Sequence, residues 1–252
     1  MTSLTGTISG EALTGTVDSF TTYQAKIAAI ESADLIGYWM LRETTGATAD
    51  NYEGTAARDG TYEAVTLDSA DGPLPGNGTP LFDGSTSYCD VYSTSLNTAF
   101  DGAEGTLAVW AKVSAVGVWT DSTRRYVGYF GADANNRVYL ERFTTNGIFQ
   151  VRYTANGTVN AINISGLSTT AWFHVAATWS KSGDAVIAYY NGVKSGSTST
   201  GLGVWAGDLA ETAVNIGALS TVPASVWDGY LAHAAVWSTP LSAAQILTIA
   251  TV

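Results

Sequence analysis

The sequence is poor in charge, in cysteine and in long apolar runs. Only 13% of its 252 residues are charged; 11 Lys and Arg face 22 Asp and Glu, for a formal net charge of −11. A chain this acidic excludes nucleic acid as a partner, because phosphate contacts need a basic face. Cationic surfaces and metal ions suit it better. Cys89 is the single cysteine, which rules out an intramolecular disulfide and a thiolate metal cluster and reads as a small buried apolar residue. No apolar stretch is long enough to span a bilayer, so insertion by a helix is not expected. The opening Met-Thr-Ser-Leu-Thr-Gly lacks the basic and apolar regions of a secretory signal, and the expectation is synthesis without export.

What the sequence does have is strand pattern. Hydrophobic residues make up 46% of it, and 27 glycines suit many short strands joined by tight turns. The clearest segment is Trp172 to Ser180. Phe173, Val175, Ala177 and Trp179 point one way, and Trp172, His174, Ala176 and Thr178 the other, as in a strand with one face on a core. A polar reversal at Lys181 to Asp184 leads into Ala185 to Tyr190, which ends at Asn191-Gly192, the pair that best supplies a type I′ hairpin turn. Leu35 to Leu41, Thr106 to Val113, Val127 to Phe130, Arg137 to Phe143, Ile148 to Tyr153, Ala213 to Gly217 and Tyr230 to Ser238 read as further strands. Glu43 to Thr79 reads as a long polar loop, and Ser242 to Gln245 as a capping box opening a last helix. The fold class is an all-β antiparallel sandwich.

The N-terminus differs. Leu4-Thr-Gly-Thr-Ile8 recurs nine residues later as Leu13-Thr-Gly-Thr-Val17. Two copies bury almost nothing alone, so they are expected to be short strands that pair with copies in other subunits or with a larger particle. Leu4, Ile8, Leu13 and Val17 are the candidate assembly residues. Tyr23 to Ala33 reads as a short helix that packs on the sandwich or bundles with its own copies. Residues 1–33 are thus an arm and assembly segment, and 34–252 the folded domain.

Several of these motifs carry a family resemblance. Trp172, His174-Val175-Ala176, Thr178, Tyr189-Tyr190-Asn191-Gly192, Asn215-Ile216-Gly217, Trp227 to Leu231 and Val236 to Ser242 resemble, in order and spacing, the late strands and closing helix of laminin-G-like, concanavalin-A-like jelly-roll domains. Gly37-Tyr38-Trp39, Leu81 to Gly84 and Gly105 to Trp110 resemble the early strands. The resemblance covers about residues 34 to 252 and implies a jelly roll, a fold that hosts many activities. The N-terminal repeat resembles attachment segments of bacteriophage virion proteins. That implies a virion subunit, made in a host cytoplasm, that assembles with other virion subunits as a homo-oligomer.

The related glucanases place catalytic carboxylates on alternate residues of one strand, roughly 5 to 9 Å apart. Here Glu43, Glu53, Glu63, Glu104, Glu141 and Glu211 each lack an acidic residue two positions away, so an enzyme is not expected. Relatives in the family bind Ca²⁺ at a loop edge, and Asp50, Asp83 and Asp90, beside Asn51, are the candidate ligands for such an ion. The family's closing-strand acidic pair is replaced by Ala232 and His233. His233 is expected on the less buried face of its strand, and Arg124-Arg125 in solvent. For carbohydrate, flat exposed aromatics are needed. Trp39, Trp110, Trp172, Trp179 and Trp237 fall within strand patterns, which leaves Trp119, Trp205 and Trp227 as the candidate stacking residues. The leading expectation is a non-enzymatic virion protein of decoration, head-fibre or tail-fibre type displaying a lectin-like sandwich. The alternative is a lectin module, with or without Ca²⁺, that recognises a host surface glycan.

Overall fold

The computed structural model describes residues 2–8, 11–17, 19–52, 56–74 and 78–252, with side chains from Tyr23 onward. In chain order the elements are β1 (Thr2–Ile8), β2 (Glu11–Val17), α1 (Ser19–Ala29), β3 (Leu35–Trp39), β4 (Thr48–Ala49), β5 (Gly60–Glu63), β6 (Thr66–Asp71), β7 (Gly78–Asp83), β8 (Tyr88–Asp90) and α2 (Thr94–Ala99). There follow β9 (Glu104–Val113), β10 (Arg125–Asp133), β11 (Asn136–Arg142), β12 (Phe149–Ala155), β13 (Thr158–Ile164), β14 (Phe173–Ser180), β15 (Ala185–Tyr190), β16 (Val193–Ser199), β17 (Val214–Ile216), β18 (Asp228–Trp237) and α3 (Ala243–Ile249).

Two antiparallel sheets stack into a sandwich. The front sheet runs β13-β12-β11-β10-β17-β8-β5-β4, and the back sheet β16-β15-β14-β9-β18-β7-β6, with β3 also paired to β18. Alternation decides what lies between them. Phe173, Val175, Ala177 and Trp179 of β14 enter the core with Trp39, Phe82, Val109, Phe130, Leu140, Val151 and Tyr153. Asn191 and Gly192 both adopt positive φ, 48° and 79°, as the tight turn between β15 and β16 requires.

The other face of the back sheet is also covered. Tyr23 and Ile27 of α1, and Ile246 and Ile249 of α3, pack on Tyr38, Trp110, Ala176, Tyr189, Ala235 and Trp237. Three side-chain bonds lock α1 down: the Tyr23 hydroxyl donates to the Ile249 carbonyl, Trp110 Nε1 donates to the Tyr23 hydroxyl at 2.8 Å, and Trp237 Nε1 donates to the Ile30 carbonyl at 2.9 Å. Of the two placements expected for this helix, the structure shows the one packed on the sandwich. His233 is buried rather than on a half-open face, because α1 lies against it.

One further expectation changes. The span 43–79 holds β4, β5 and β6; β4 and β5 have only two and four residues and β6 has none buried, so they leave no sustained apolar alternation to read. The N-terminal repeats pair with each other. Thr2, Leu4, Gly6 and Ile8 stand opposite Val17, Gly15, Leu13 and Glu11, which places Leu4, Ile8, Leu13 and Val17 at positions of one parity in the hairpin.

Candidate functional site

Six of the eight tryptophans are buried. Trp119 and Trp227 are 0% exposed, so neither offers a face to a sugar. Trp119 closes the end of the sandwich, with Nε1 donating to the Thr169 carbonyl at 2.8 Å and its ring 5.7 Å from Phe173. Trp227 enters the core just ahead of β18. Both lie outside regular alternation, so the sequence pattern could not place them. Only Trp172 and Trp205 are half-buried. Trp172 lies beside Tyr230 and donates to the Asp71 carbonyl.

Trp205 stands in a cleft of about 300 Å³ lined by Asn97, Phe100, Asp101, Trp205, Asp208 and Leu209. Its ring packs against Phe100 at 5.6 Å and Tyr153 at 6.0 Å, and its Nε1 donates to the Gly207 carbonyl at 3.1 Å. Gly102 makes this seat possible: a Cβ there would lie 2.1 Å from the indole. The irregular segment that carries Trp205 is tied down along its length. The Asp184 carboxylate accepts from the Gly201 and Leu202 amides at 2.9 and 2.8 Å. Asn136 Oδ1 accepts from the Ala206 amide at 3.0 Å, Asn97 Oδ1 from the Leu209 amide at 2.8 Å, and the Gly131 carbonyl from the Ala210 amide at 2.9 Å. An indole held by its neighbours, with two carboxylates and an amide around it, can stack on the C–H face of a sugar and accept from its hydroxyls. The volume sits at the low end of the range for small-ligand pockets, about 300–1,000 Å³.

The three aspartates considered for a cation do not come together. The Asp83 carboxylate caps its own turn, accepting from the amides of Ser85, Thr86 and Ser87 and from the Thr86 hydroxyl. Burial works to raise its pKa, but these bonds prevail and hold it well below the usual carboxylate range. Asp90 Oδ1 accepts from the Tyr92 amide at 2.9 Å on β8, and burial raises its pKa. Asp50 is exposed beyond β4. Asn51 Oδ1 is taken by the Tyr38 amide. Among the described residues no three His, Cys, Asp or Glu side chains are grouped to hold a metal ion.

A second polar group lies on the outer face of the front sheet. The register runs Tyr126, Glu141, Gln150, Asn163 across one row, and Asp90, Asn215, Tyr129, Tyr139, Arg152 across another. Arg124 Nε is 3.0 Å from Glu141 Oε2. Burial pushes the Glu141 carboxyl up to about 7, with Arg124 and Arg152 pulling the other way. Arg125 is 8% exposed; its guanidinium pairs with Asp121 at 2.7 Å and Asp228 at 3.6 Å and donates to the carbonyls of Gly84 and Val226. Arg124-Arg125 is therefore anchored, not free in solvent. The neighbours of Glu141 across the sheet are Tyr126 and Gln150, so no acid faces it from an adjoining strand.

Asn97, Asp101 and Asp208 went unread in the sequence because α2 and two loops bring them together from separate places. On the front sheet the signal was present: Arg137, Tyr139 and Glu141 alternate on one strand, and Gln150 and Arg152 on the next.

The fold and sequence were compared with known proteins. The family model described as the concanavalin A-like lectin/glucanases superfamily matches residues 83–247. Curated protein sequences give no match. Among solved structures, domain 4 of AbnA, an extracellular GH43 arabinanase of Geobacillus stearothermophilus in complex with arabinotriose, is similar at 17% identity and a TM-score of 0.56, over 86% of this chain and 98% of that domain. The binding domain of botulinum neurotoxin serotype D is similar at 14% identity and a TM-score of 0.58, over 86% of this chain and 51% of that one. A Trypanosoma rangeli sialidase in complex with 2,3-difluorosialic acid is similar at 14% identity and a TM-score of 0.64, over 92% of this chain but 37% of the sialidase. The fold is thus shared by enzymes and by binding domains. With its two antiparallel sheets and a family match over more than half its length, the chain belongs to the concanavalin A-like lectin/glucanases superfamily.

Proposed function

We propose that the protein is a non-catalytic carbohydrate-binding module that takes a neutral saccharide in the Trp205 cleft. The observation that carries this reading is the half-exposed indole of Trp205, held by Phe100, Tyr153 and Gly102 and flanked by Asp101, Asp208 and Asn97. The two carboxylates favour hydroxyl donors and repel anionic sugars. The likeness to an arabinanase domain in complex with arabinotriose supports a saccharide ligand. Titration calorimetry with neutral oligosaccharides chosen from a glycan array tests it. Trp205→Ala is expected to weaken binding at least tenfold, with Trp172→Ala close to wild type. A blank array, or equal affinity in Trp205→Ala, removes the reading. Release of reducing sugar that Asp101→Asn abolishes would replace it with a hydrolase.

A second reading concerns the N-terminal hairpin. A lone two-stranded sheet is marginal in water, and among the described residues β1 and β2 pair only with each other. The hairpin is, on this reading, an assembly segment that mounts the sandwich on further subunits, as in a virion decoration or fibre protein that presents a glycan-binding surface. Deleting residues 1–18 is expected to turn an oligomer into a monomer, by light scattering, with the melting temperature of the sandwich kept. Deleting residues 1–33 also strips α1 from Trp110 and Trp237 and is expected to lower that temperature. A full-length chain that is monomeric and ignores particles rules this reading out.

A further inference from the structure

The chain carries only 11 basic residues, yet Arg124, Arg137 and Arg152 meet on the outer face of the front sheet. Arg137 and Tyr139 are alternate residues of β11, and Arg152 stands directly opposite Tyr139 on β12. Both guanidinium groups lie over the Tyr139 ring, at 5.6 and 6.0 Å from its centroid. Tyr139 is 1% exposed and is wedged against Tyr126 at 5.2 Å and Tyr129 at 5.4 Å. Cation–π contact with a fixed ring restrains these long side chains, so less rotamer freedom is lost when a ligand binds. Glu141 is in ion-pair contact with Arg124 alone, and Arg152 and Arg137 act on it from farther off. Among the described residues neither Arg137 nor Arg152 has a carboxylate within ion-pair distance. The Nε atoms of Arg137 and Arg152 are shielded from water without a hydrogen-bond acceptor. Against these three guanidinium groups stand Glu141 and, beside Arg137, Asp133, so cationic groups outnumber acidic ones on this face of a chain of net charge −11.

We propose that this face is a second ligand site, distinct from the Trp205 cleft, which takes the carboxylate of an acidic saccharide on Arg137 and Arg152. A guanidinium fork matches a carboxylate in two parallel bonds. Gln150 continues the same face of β12 and donates from Nε2 to Asn163 Oδ1 at 2.7 Å, while its Oε1 is buried without a donor. Amides beside the cationic pair suit the hydroxyls of a sugar ring better than a bare inorganic ion. Acidic saccharide and neutral saccharide are thereby sorted to opposite fields of one molecule, the first to the arginine face and the second to the carboxylate-lined cleft.

The test is titration calorimetry of the full chain with a defined oligogalacturonate, its fully methyl-esterified form and inorganic phosphate. Binding is expected for the acid form, at least tenfold weaker for the ester, and weaker at 1 M NaCl. Arg152→Gln and Arg137→Gln are each expected to lower affinity at least tenfold; Arg152→Lys, which keeps the charge but not the fork, should fall between. Trp205→Ala should bind as wild type, which separates failure here from failure of the cleft. Thermal melting certifies that each variant is folded, and if Arg152→Gln is not, Arg137→Gln decides. No binding at millimolar concentration, equal affinity for acid and ester, phosphate binding as tightly as the saccharide, or indifference to both arginine changes would each overturn the proposal.

Discussion

Acid is expected to destabilise the protein through two buried histidines. His174 and His233 are 1% and 4% exposed, and burial pushes both down to about 3, with Arg42 and His174 adding to the effect at His233. His174 lies edge-on to Trp110 at 5.3 Å, and His233 Nδ1 is 2.8 Å from the Tyr38 hydroxyl. In the unfolded chain each titrates near 6.5. Above that pH neither state binds the extra proton and nothing is lost. Between about 6.5 and 3 the unfolded state binds it and the native state does not, so stability falls as pH falls. The slope is about 1.4 kcal/mol per pH unit for each histidine, about 2.7 for the pair. Glu141 works in the opposite sense: its native pKa is raised, so its contribution is present at low pH and is lost as pH rises through about 7. Comparison of wild type with the double variant His174→Gln, His233→Asn cancels Glu141 and the other carboxylates. Asn is chosen because residue 233 has a φ of 51°. Urea unfolding followed by tryptophan fluorescence at several pH values between 4 and 7 should give the variant the flatter profile by that difference. Parallel profiles would mean that the native histidines take up protons, and hence that α1 and α3 do not seal this face.

Gly229→Ala is expected to be the most damaging single-methyl change in the sandwich. β18 is the hub of the back sheet, paired with β9, β7 and β3. Gly229 sits where Val113 flanks it on one side and Phe82 on the other, with φ at 144°. A Cβ at this position would lie 2.1 Å from the Lys112 carbonyl oxygen and 2.8 Å from the Ser114 nitrogen. These are backbone atoms, which cannot swing aside as a side-chain tip can. The strained backbone and the collision together are expected to cost about 4 kcal/mol. Gly117→Ala is the control: nothing lies within 4 Å of its Cβ, and the change should stay within about 0.5 kcal/mol. Denaturant midpoints of the two variants measure the contrast. A Gly229→Ala protein as stable as the control would mean that the β18–β9 register is wrong.

The legibility of the chain followed the range of the signal. The alternation in Trp172 to Trp179 is local, and it identified which residues of β14 enter the core. The Asn191-Gly192 turn and the Ser242–Gln245 capping box are likewise local chemistry, and both stand as read. β4, β5 and β6 were missed because β4 and β5 span only two and four residues, too few for a period to show, and β6 buries no residue. Among the candidate stacking residues, Trp205 is separated from Trp119 and Trp227 by exposure alone, a property of the loop path and not of the residue.

The sequence by itself determined the two stacked sheets, since a side chain's parity within a strand, and the turn chemistry between strands, are set by residues adjacent in the chain. It also determined the low charge and the acidic balance. Only the tertiary structure decided which surfaces remain open. Docking of α1 and α3 buried both histidines, ties from Asp184, Asn136 and Asn97 held Trp205 at a cleft, and strand pairing set Arg152 opposite Tyr139. The reason is distance along the chain: these contacts join segments tens to hundreds of residues apart, and no local pattern encodes which distant segment arrives to cover, hold or pair with a given residue.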